Sequence, residues 1–96
     1  MKWKVYIIRC SDGTYYTGIT TDINRRLNEH NNGIGAKYTK CRIPVELEEY
    51  TEFKSRSEAT KEECRIKKLT RDKKERLIGE WRVARLKVEH VYIKEQ

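Results

Sequence analysis

The sequence has 96 residues, of which 36% are hydrophobic and 39% charged, and its formal net charge is +7 at pH 7. This length predicts one domain, and the longest apolar run is too short for a membrane span or a signal peptide, which favours a cytoplasmic protein. The three cysteines do not have the spacing of a zinc site. The excess of positive charge is the main indication of function, and it favours nucleic acid as the partner.

The first two predicted elements form a β-hairpin. Residues 3–10 and 14–19 are rich in β-forming residues, and a Ser-Asp-Gly stretch ending at Gly13 separates them. A two-residue loop would leave Tyr6 and Tyr16 on opposite faces of the hairpin. A three-residue loop with Gly13 in the left-handed conformation puts both tyrosines on one face, and we favour this register.

A helix is predicted next, over residues 21–31, and Gly33 follows its end. Residues three and four apart share one face of a helix. The stripe that should face the core consists of Ile23, Arg26, Leu27 and His30. Arg25 should point away, so the second of two adjacent arginines faces inward.

Residues 34–44 form a basic connector with one predicted helical turn near residues 36–40. The connector combines charge with one aromatic ring in Lys37, Tyr38, Lys40 and Arg42. Two interpretations stay open: these residues straddle a nucleic-acid backbone, or they form a solvated loop.

A third strand is predicted over residues 45–53, where polar and apolar residues alternate. Strict alternation places Val45, Leu47 and Phe53 on one face and Tyr50 on the other.

Two further helices and a tail complete the chain. Ser55 and Glu58 form a capping box at the start of one helix, and Thr70 can cap the next. The order β-β-α-β-α-α predicts a small α+β domain over residues 1–80, with a three-stranded, mostly antiparallel sheet flanked by helices. Residues 81–96 form a C-terminal extension that adds a strand, lengthens the helix or frays.

Charged residues lie on or beside the core-facing stripes of two helices. Arg26 and His30 are on the first helix, and Glu62 and Glu63 flank the stripe of the second. An unpaired buried charge costs several kcal/mol, so these groups must be paired, reach an edge or line a cleft. A structural ion pair and a phosphate-binding cleft both satisfy this condition, and periodicity does not choose between the two glutamates.

Two short triplets on the hairpin have a distinctive spacing. Lys4-Val5-Tyr6 is followed by Tyr16-Thr17-Gly18; Tyr16 is ten positions after Tyr6, and Arg26 is ten positions after Tyr16. Together with "GAKYTK" and "RSEATKEECRIKKLTR", this pattern resembles the GIY-YIG nuclease superfamily. It is especially similar to the small single-domain bacterial members, which are in turn similar to the Slx1-type domain that cuts branched DNA.

The resemblance implies metal-assisted hydrolysis of a phosphodiester, with Mg²⁺ or Mn²⁺ as the cofactor. DNA is a more expected substrate than RNA, and a role in repair or recombination follows. The implied site residues are Tyr6, Tyr16, Arg26, His30 and, as the metal ligand, Glu63. Gly18 is implied as the glycine where the strand turns into the helix. Tyr6, Tyr16 and His30 all stay candidates for the general base.

A basic cluster over residues 65–76 includes Lys67 and Lys68, which would extend a phosphate track or form a solvated surface. The main hypothesis is an endonuclease that selects DNA by structure rather than sequence, alone or with a protein partner that supplies specificity. The alternative is a non-catalytic nucleic-acid-binding module, which needs the basic residues but not Glu63. A third reading is a basic interaction protein with a structural Arg26–Glu63 pair.

Overall fold

The computed structural model describes residues 2–95, which form three strands and three helices. The strands are β1 (Trp3–Arg9), β2 (Tyr15–Thr20) and β3 (Glu46–Phe53). The helices are α1 (Ile23–Asn31), α2 (Arg56–Lys67) and α3 (Arg71–Glu95). The sheet order is β2-β1-β3 with both pairings antiparallel, so the predicted α+β fold is confirmed. No helix among these residues combines the length and hydropathy needed to cross a membrane.

The hairpin of β1 and β2 has the predicted three-residue loop. Gly13 adopts φ +84°, a left-handed conformation that suits glycine. The resulting register pairs Tyr6 with Gly18. Ile8 lies opposite Tyr16, so the two tyrosines project from the same face of the sheet.

Helices cover both faces of the sheet, and β1 contributes alternate side chains to each. The core under α2 and α3 contains Val5, Ile7, Ala59, Ile66 and Ile78. The core under α1 contains Tyr6, Ile8, Cys10 and Val45, with Ile23 and Leu27 packed against it. Because β1 is the central strand, its middle residues Val5, Tyr6, Ile7 and Ile8 are buried, and the candidate site forms on the α1 side.

Side-chain caps start all three helices. The side-chain oxygens of Asp22, Ser55 and Thr70 each accept a hydrogen bond from the amide three residues later. The two predicted caps, Ser55 and Thr70, are therefore confirmed. The cap at Asp22 makes α1 begin at Ile23, two residues later than predicted.

A β-bulge in β3 overturns the predicted faces of that strand. Leu47 and Glu49 lie opposite consecutive residues of β1, so one extra residue of β3 is accommodated between them. Tyr50 therefore joins Leu47 in the core under α1, whereas Phe53 packs against the opposite core. The prediction that Leu47 shares a face with Phe53 and faces away from Tyr50 is wrong, because an inserted residue reverses the alternation between them. Tyr50 and Phe53 do lie on opposite faces, as predicted.

The tail continues α3, so the extended helix is the observed alternative for residues 81–95. Arg85 anchors this helix to β3, since its guanidinium pairs with the buried carboxylate of Glu49. The same guanidinium donates a 3.1 Å hydrogen bond to the carbonyl of Tyr50. The boundary between residues 1–80 and 81–96 falls inside α3 and stays a prediction.

Candidate active site

A buried contact between β1 and α1 forms the centre of the candidate site. Tyr6 and His30 are 1% and 0% exposed, and Tyr6 Oη lies 2.8 Å from His30 Nε2. Arg26 lies one helical turn before His30, and its Nε donates to Tyr6 Oη over 3.4 Å. The core-facing stripe of α1 thus brings an arginine and a histidine onto the same phenol.

Burial sets the protonation of this pair. Loss of solvent raises the pKa of Tyr6 to about 12, even though the hydrogen bond and charge of Arg26 lower it. Burial, followed by the positive charge of Arg26, lowers the pKa of His30 to about 4. At neutral pH the histidine is therefore uncharged and the tyrosine keeps its proton.

We expect folding stability to fall as the pH is lowered from about 6.5 towards 4. In that window the unfolded chain binds a proton at His30 and the folded chain does not, so protons favour unfolding by up to about 3 kcal/mol. An NMR titration of the imidazole in a His90→Gln variant, which leaves His30 as the one histidine, should give a pKa near 4. A midpoint near 6.5 would contradict a buried, neutral His30.

Arg26 links α1 to the connector between α1 and β3. Its Nη1 lies 2.9 Å from Glu29 Oε1, and its Nη2 donates to the carbonyl of Gly35 over 3.2 Å. These contacts hold the half-buried guanidinium beside Tyr6. Arg25 is exposed, which confirms that the second arginine of the pair faces inward.

Two connector residues that sequence reasoning missed complete the surroundings of His30. Thr39 is fully buried, and its Oγ1 lies 2.8 Å from His30 Nδ1. A Cβ atom at Gly35 would lie 2.5 Å from the same nitrogen, so only glycine leaves room for the imidazole. Isolated loop residues give no periodic signal. The sequence offers one indication of their importance, because Gly35 and Thr39 both lie within the GAKYTK stretch.

Gly18 is required by the ring of Tyr6 and not by a turn. A Cβ atom at Gly18 would lie 2.3 Å from Tyr6 Oη. The strand continues to Thr20, so the expectation that it turns into the helix at Gly18 is wrong. The missing side chain lets the phenol lie across the neighbouring strand.

Tyr16 and Tyr38 stack beside the buried pair. The ring centroid of Tyr16 lies 5.5 Å from that of His30 and 5.9 Å from that of Tyr38, whose plane is inclined by 19°. The guanidinium of Arg42 lies 4.0 Å from the centroid of Tyr38, and its Nε lies 3.0 Å from Asp12 Oδ2. Arg42, which was predicted to bind nucleic acid, therefore holds Tyr38 in place.

Glu63 approaches the tyrosines from α2. Its carboxylate lies 3.6 Å from Lys67 Nζ, which in turn lies 5.6 Å from the centroid of Tyr16. After burial, the charge of Glu63 is among those that raise the pKa of Tyr6. Glu62 instead forms an ion pair along its own helix. Lys67 therefore connects Glu63 to the candidate site, whereas the ion pair of Glu62 is with Arg65.

Glu63 fits a divalent cation that keeps most of its water. Among the residues that the structure describes, no three His, Cys, Asp or Glu side chains come together as a metal site. A single carboxylate is too few ligands for a zinc-type centre. Mg²⁺ is commonly bound through one or two carboxylates, with water and substrate phosphate completing its shell.

The other residues predicted to bind nucleic acid lie on the connector and at the end of α2. Lys37 and Lys40 are exposed on the connector that carries Tyr38. Lys67 and Lys68 are exposed at the C-terminal end of α2. The structure brings Tyr6, Tyr16, Arg26 and His30 into contact, and Lys67 links Glu63 to Tyr16.

Residues 2–76 match the family model described as the GIY-YIG catalytic domain. The chain belongs to the GIY-YIG family. A UPF0213 protein of Halobacterium salinarum is 60% identical over 73 residues, which cover 76% of this chain and 95% of the relative. A UPF0213 protein of Staphylococcus aureus is 54% identical over 76 residues, which cover 79% of this chain and 93% of the relative.

Two solution NMR structures share this GIY-YIG fold. The UPF0213 protein BH0048 of Bacillus halodurans is 47% identical, with a TM-score of 0.54 over 82% of this chain and 84% of that chain. The protein EF2693 of E. faecalis is 44% identical, with a TM-score of 0.61 over 86% of this chain and 88% of that chain. The family and the fold class predicted from the sequence are confirmed.

Proposed function

We propose that this protein is a divalent-metal-dependent endonuclease that hydrolyses DNA phosphodiester bonds and selects DNA by structure rather than sequence. One observation carries the proposal: Tyr6, His30 and Arg26 share a hydrogen-bonded contact beside Tyr16 and Glu63. The GIY-YIG catalytic domain belongs to a nuclease superfamily, and this contact supplies the groups that phosphodiester hydrolysis needs.

Tyr6 and His30 form a proton relay for the attacking water. A water bound to Tyr6 Oη passes a proton to the phenol oxygen while the hydroxyl proton moves to His30 Nε2, 2.8 Å away. The resulting hydroxide attacks phosphorus, and the bond to the 3′ oxygen breaks. Because both proton transfers are coupled, no free phenolate forms, and a Tyr6 pKa of about 12 does not block the reaction.

Arg26 binds the substrate and couples that binding to the proton affinity of His30. Its planar guanidinium offers two N–H groups to a non-bridging phosphate oxygen. The positive charge of Arg26 is, after burial, the second cause of the low His30 pKa. A phosphate bound beside Arg26 offsets that charge, so substrate binding raises the proton affinity of His30.

Glu63 would hold Mg²⁺ or Mn²⁺ at the edge of this contact. When bound, the cation supplies Lewis-acid stabilisation of the phosphate and of the leaving oxygen. The ammonium of Lys67, now 3.6 Å from Glu63, becomes available to a neighbouring phosphate.

The connector supports selection by DNA structure. Tyr38 is 39% exposed and lies beside Tyr16, and an unpaired base would stack on its ring by displacing the guanidinium of Arg42. Lys37 and Lys40 offer contacts to phosphates, which carry no sequence information. All six elements of residues 2–95 belong to one fold, which leaves no separate sequence-reading module among them.

The test is cleavage of labelled linear, nicked, flapped and four-way DNA, and of a matched RNA duplex, by the native protein with Mg²⁺, Mn²⁺ or EDTA. We expect cleavage that requires metal, prefers flapped or four-way DNA and spares the RNA. Salt-sensitive binding without cleavage of any substrate would contradict the proposal and support the non-catalytic binding module.

A further inference from the structure

We propose that Thr39 is a positioning residue that fixes the tautomer of His30, so that Nε2 faces Tyr6 as a proton acceptor. The catalytic consequence rests on the proposed function. The tautomer itself follows from the hydrogen bonds of the connector and is measurable without DNA.

The directions of two hydrogen bonds determine where the imidazole proton lies. The hydroxyl of Thr39 has one proton, and its Oγ1 lies 3.1 Å from the carbonyl oxygen of Ala36, which only accepts. Thr39 Oγ1 therefore accepts the 2.8 Å hydrogen bond from His30 Nδ1. A neutral imidazole carries one N–H, so Nε2 presents its lone pair to the Tyr6 hydroxyl.

The opposite tautomer would disable the relay. A proton on Nε2 would point at Tyr6 Oη, which already receives Arg26 Nε over 3.4 Å, and the phenol proton would have no acceptor at His30. Nδ1 would then need the Thr39 proton, and the carbonyl of Ala36 would keep only the Lys40 amide as a donor. His30 and Thr39 are both 0% exposed, so water is not at hand to replace a hydrogen bond lost on the Nδ1 side.

Among the groups that surround His30, Thr39 is the one that determines the tautomer of the imidazole. Tyr6 and Tyr16 approach from the sheet, and Arg26 and Glu29 act from α1. Besides burial, which lowers the pKa of the imidazole most, Arg26 lowers that pKa and Glu29 raises it. On the Nδ1 side, the hydrogen-bond partner is the Thr39 hydroxyl, which does not titrate.

The first measurement is the pair of imidazole ¹⁵N chemical shifts of His30 in the native protein at pH 7. We expect the proton on Nδ1. Thr39→Ser should keep this signature and a kcat within about 3-fold of native, because it keeps the hydroxyl. Thr39→Val should move the proton towards Nε2 and lower kcat about 10- to 100-fold with little change in KM, since it disturbs proton transfer rather than binding.

Thr17→Val is the matched control, because it removes another buried threonine hydroxyl. Thr17 Oγ1 has no hydrogen-bond partner within the described part of the chain, and we expect no change in tautomer or kcat. A native His30 protonated on Nε2, or a Thr39→Val protein with native tautomer and kcat, would overturn the inference. Expected tautomers in a protein that cuts no DNA would support the positioning of His30 while contradicting the proposed function.

Discussion

Replacing Glu63 with glutamine should lower the rate of DNA cleavage about 1,000-fold or more while DNA affinity stays within a few-fold of native. The amide keeps the size of the carboxylate but loses the charge that would hold the cation. The ion pair with Lys67 joins residues one turn apart on a helix, and its loss should cost about 0.5 kcal/mol of stability at most. Single-turnover cleavage and fluorescence anisotropy measure the two quantities separately.

Glu62→Gln is the matched control for this variant. The Glu62 side chain is 22% exposed against 18% for Glu63, and both form one ion pair along α2. We expect Glu62→Gln to cut DNA at a rate within about 3-fold of native, because its contacts do not lead to Tyr6 or Tyr16. Equal losses in both variants, or a large drop in melting temperature for Glu63→Gln alone, would point to a structural role for the carboxylate.

The second large effect is expected from Tyr6→Phe. This change removes the one hydroxyl that joins His30 Nε2 and Arg26 Nε, at 2.8 and 3.4 Å. Cleavage should fall about 100- to 10,000-fold, because the relay loses its first acceptor. The free energy of unfolding at pH 7 should fall by about 1–3 kcal/mol, since a buried nitrogen is left without a partner.

Tyr15→Phe controls for the loss of a phenol hydroxyl. Tyr15 packs on the opposite face of the sheet, where Arg71 lies 4.6 Å from its ring centroid, and a phenyl ring preserves that contact. Urea denaturation should place this variant within about 0.5 kcal/mol of native, and its cleavage should be unchanged. A Tyr6→Phe protein that is as stable and active as Tyr15→Phe would refute the role given to the buried pair.

Local rules predicted the parts of the site that lie on regular elements. The left-handed preference of glycine at Gly13 selected the hairpin register, and that register put Tyr6 and Tyr16 on one face. Helical periodicity likewise predicted that Arg26 and His30 face inward, because this prediction needs only the spacing of residues within α1. Both predictions depended on residues close together in the chain.

Tertiary packing determined what the sequence pattern did not. The bulge in β3 depends on how that strand pairs with β1, so alternation placed Tyr50 on the wrong face. Gly18 is needed because a ring on the neighbouring strand lies against it, a contact that its own strand does not reveal. Thr39 and Arg42 acquire their roles only when the connector folds onto His30 and Asp12.

The most direct test of the central claim compares native protein, Glu62→Gln and Glu63→Gln on one labelled flapped DNA over a range of Mg²⁺ concentrations. We expect Mg²⁺-dependent cleavage by the native protein and by Glu62→Gln, and none by Glu63→Gln despite equal binding. Cleavage by Glu63→Gln at the native rate, or its absence in the native protein at every Mg²⁺ concentration, would contradict the central claim.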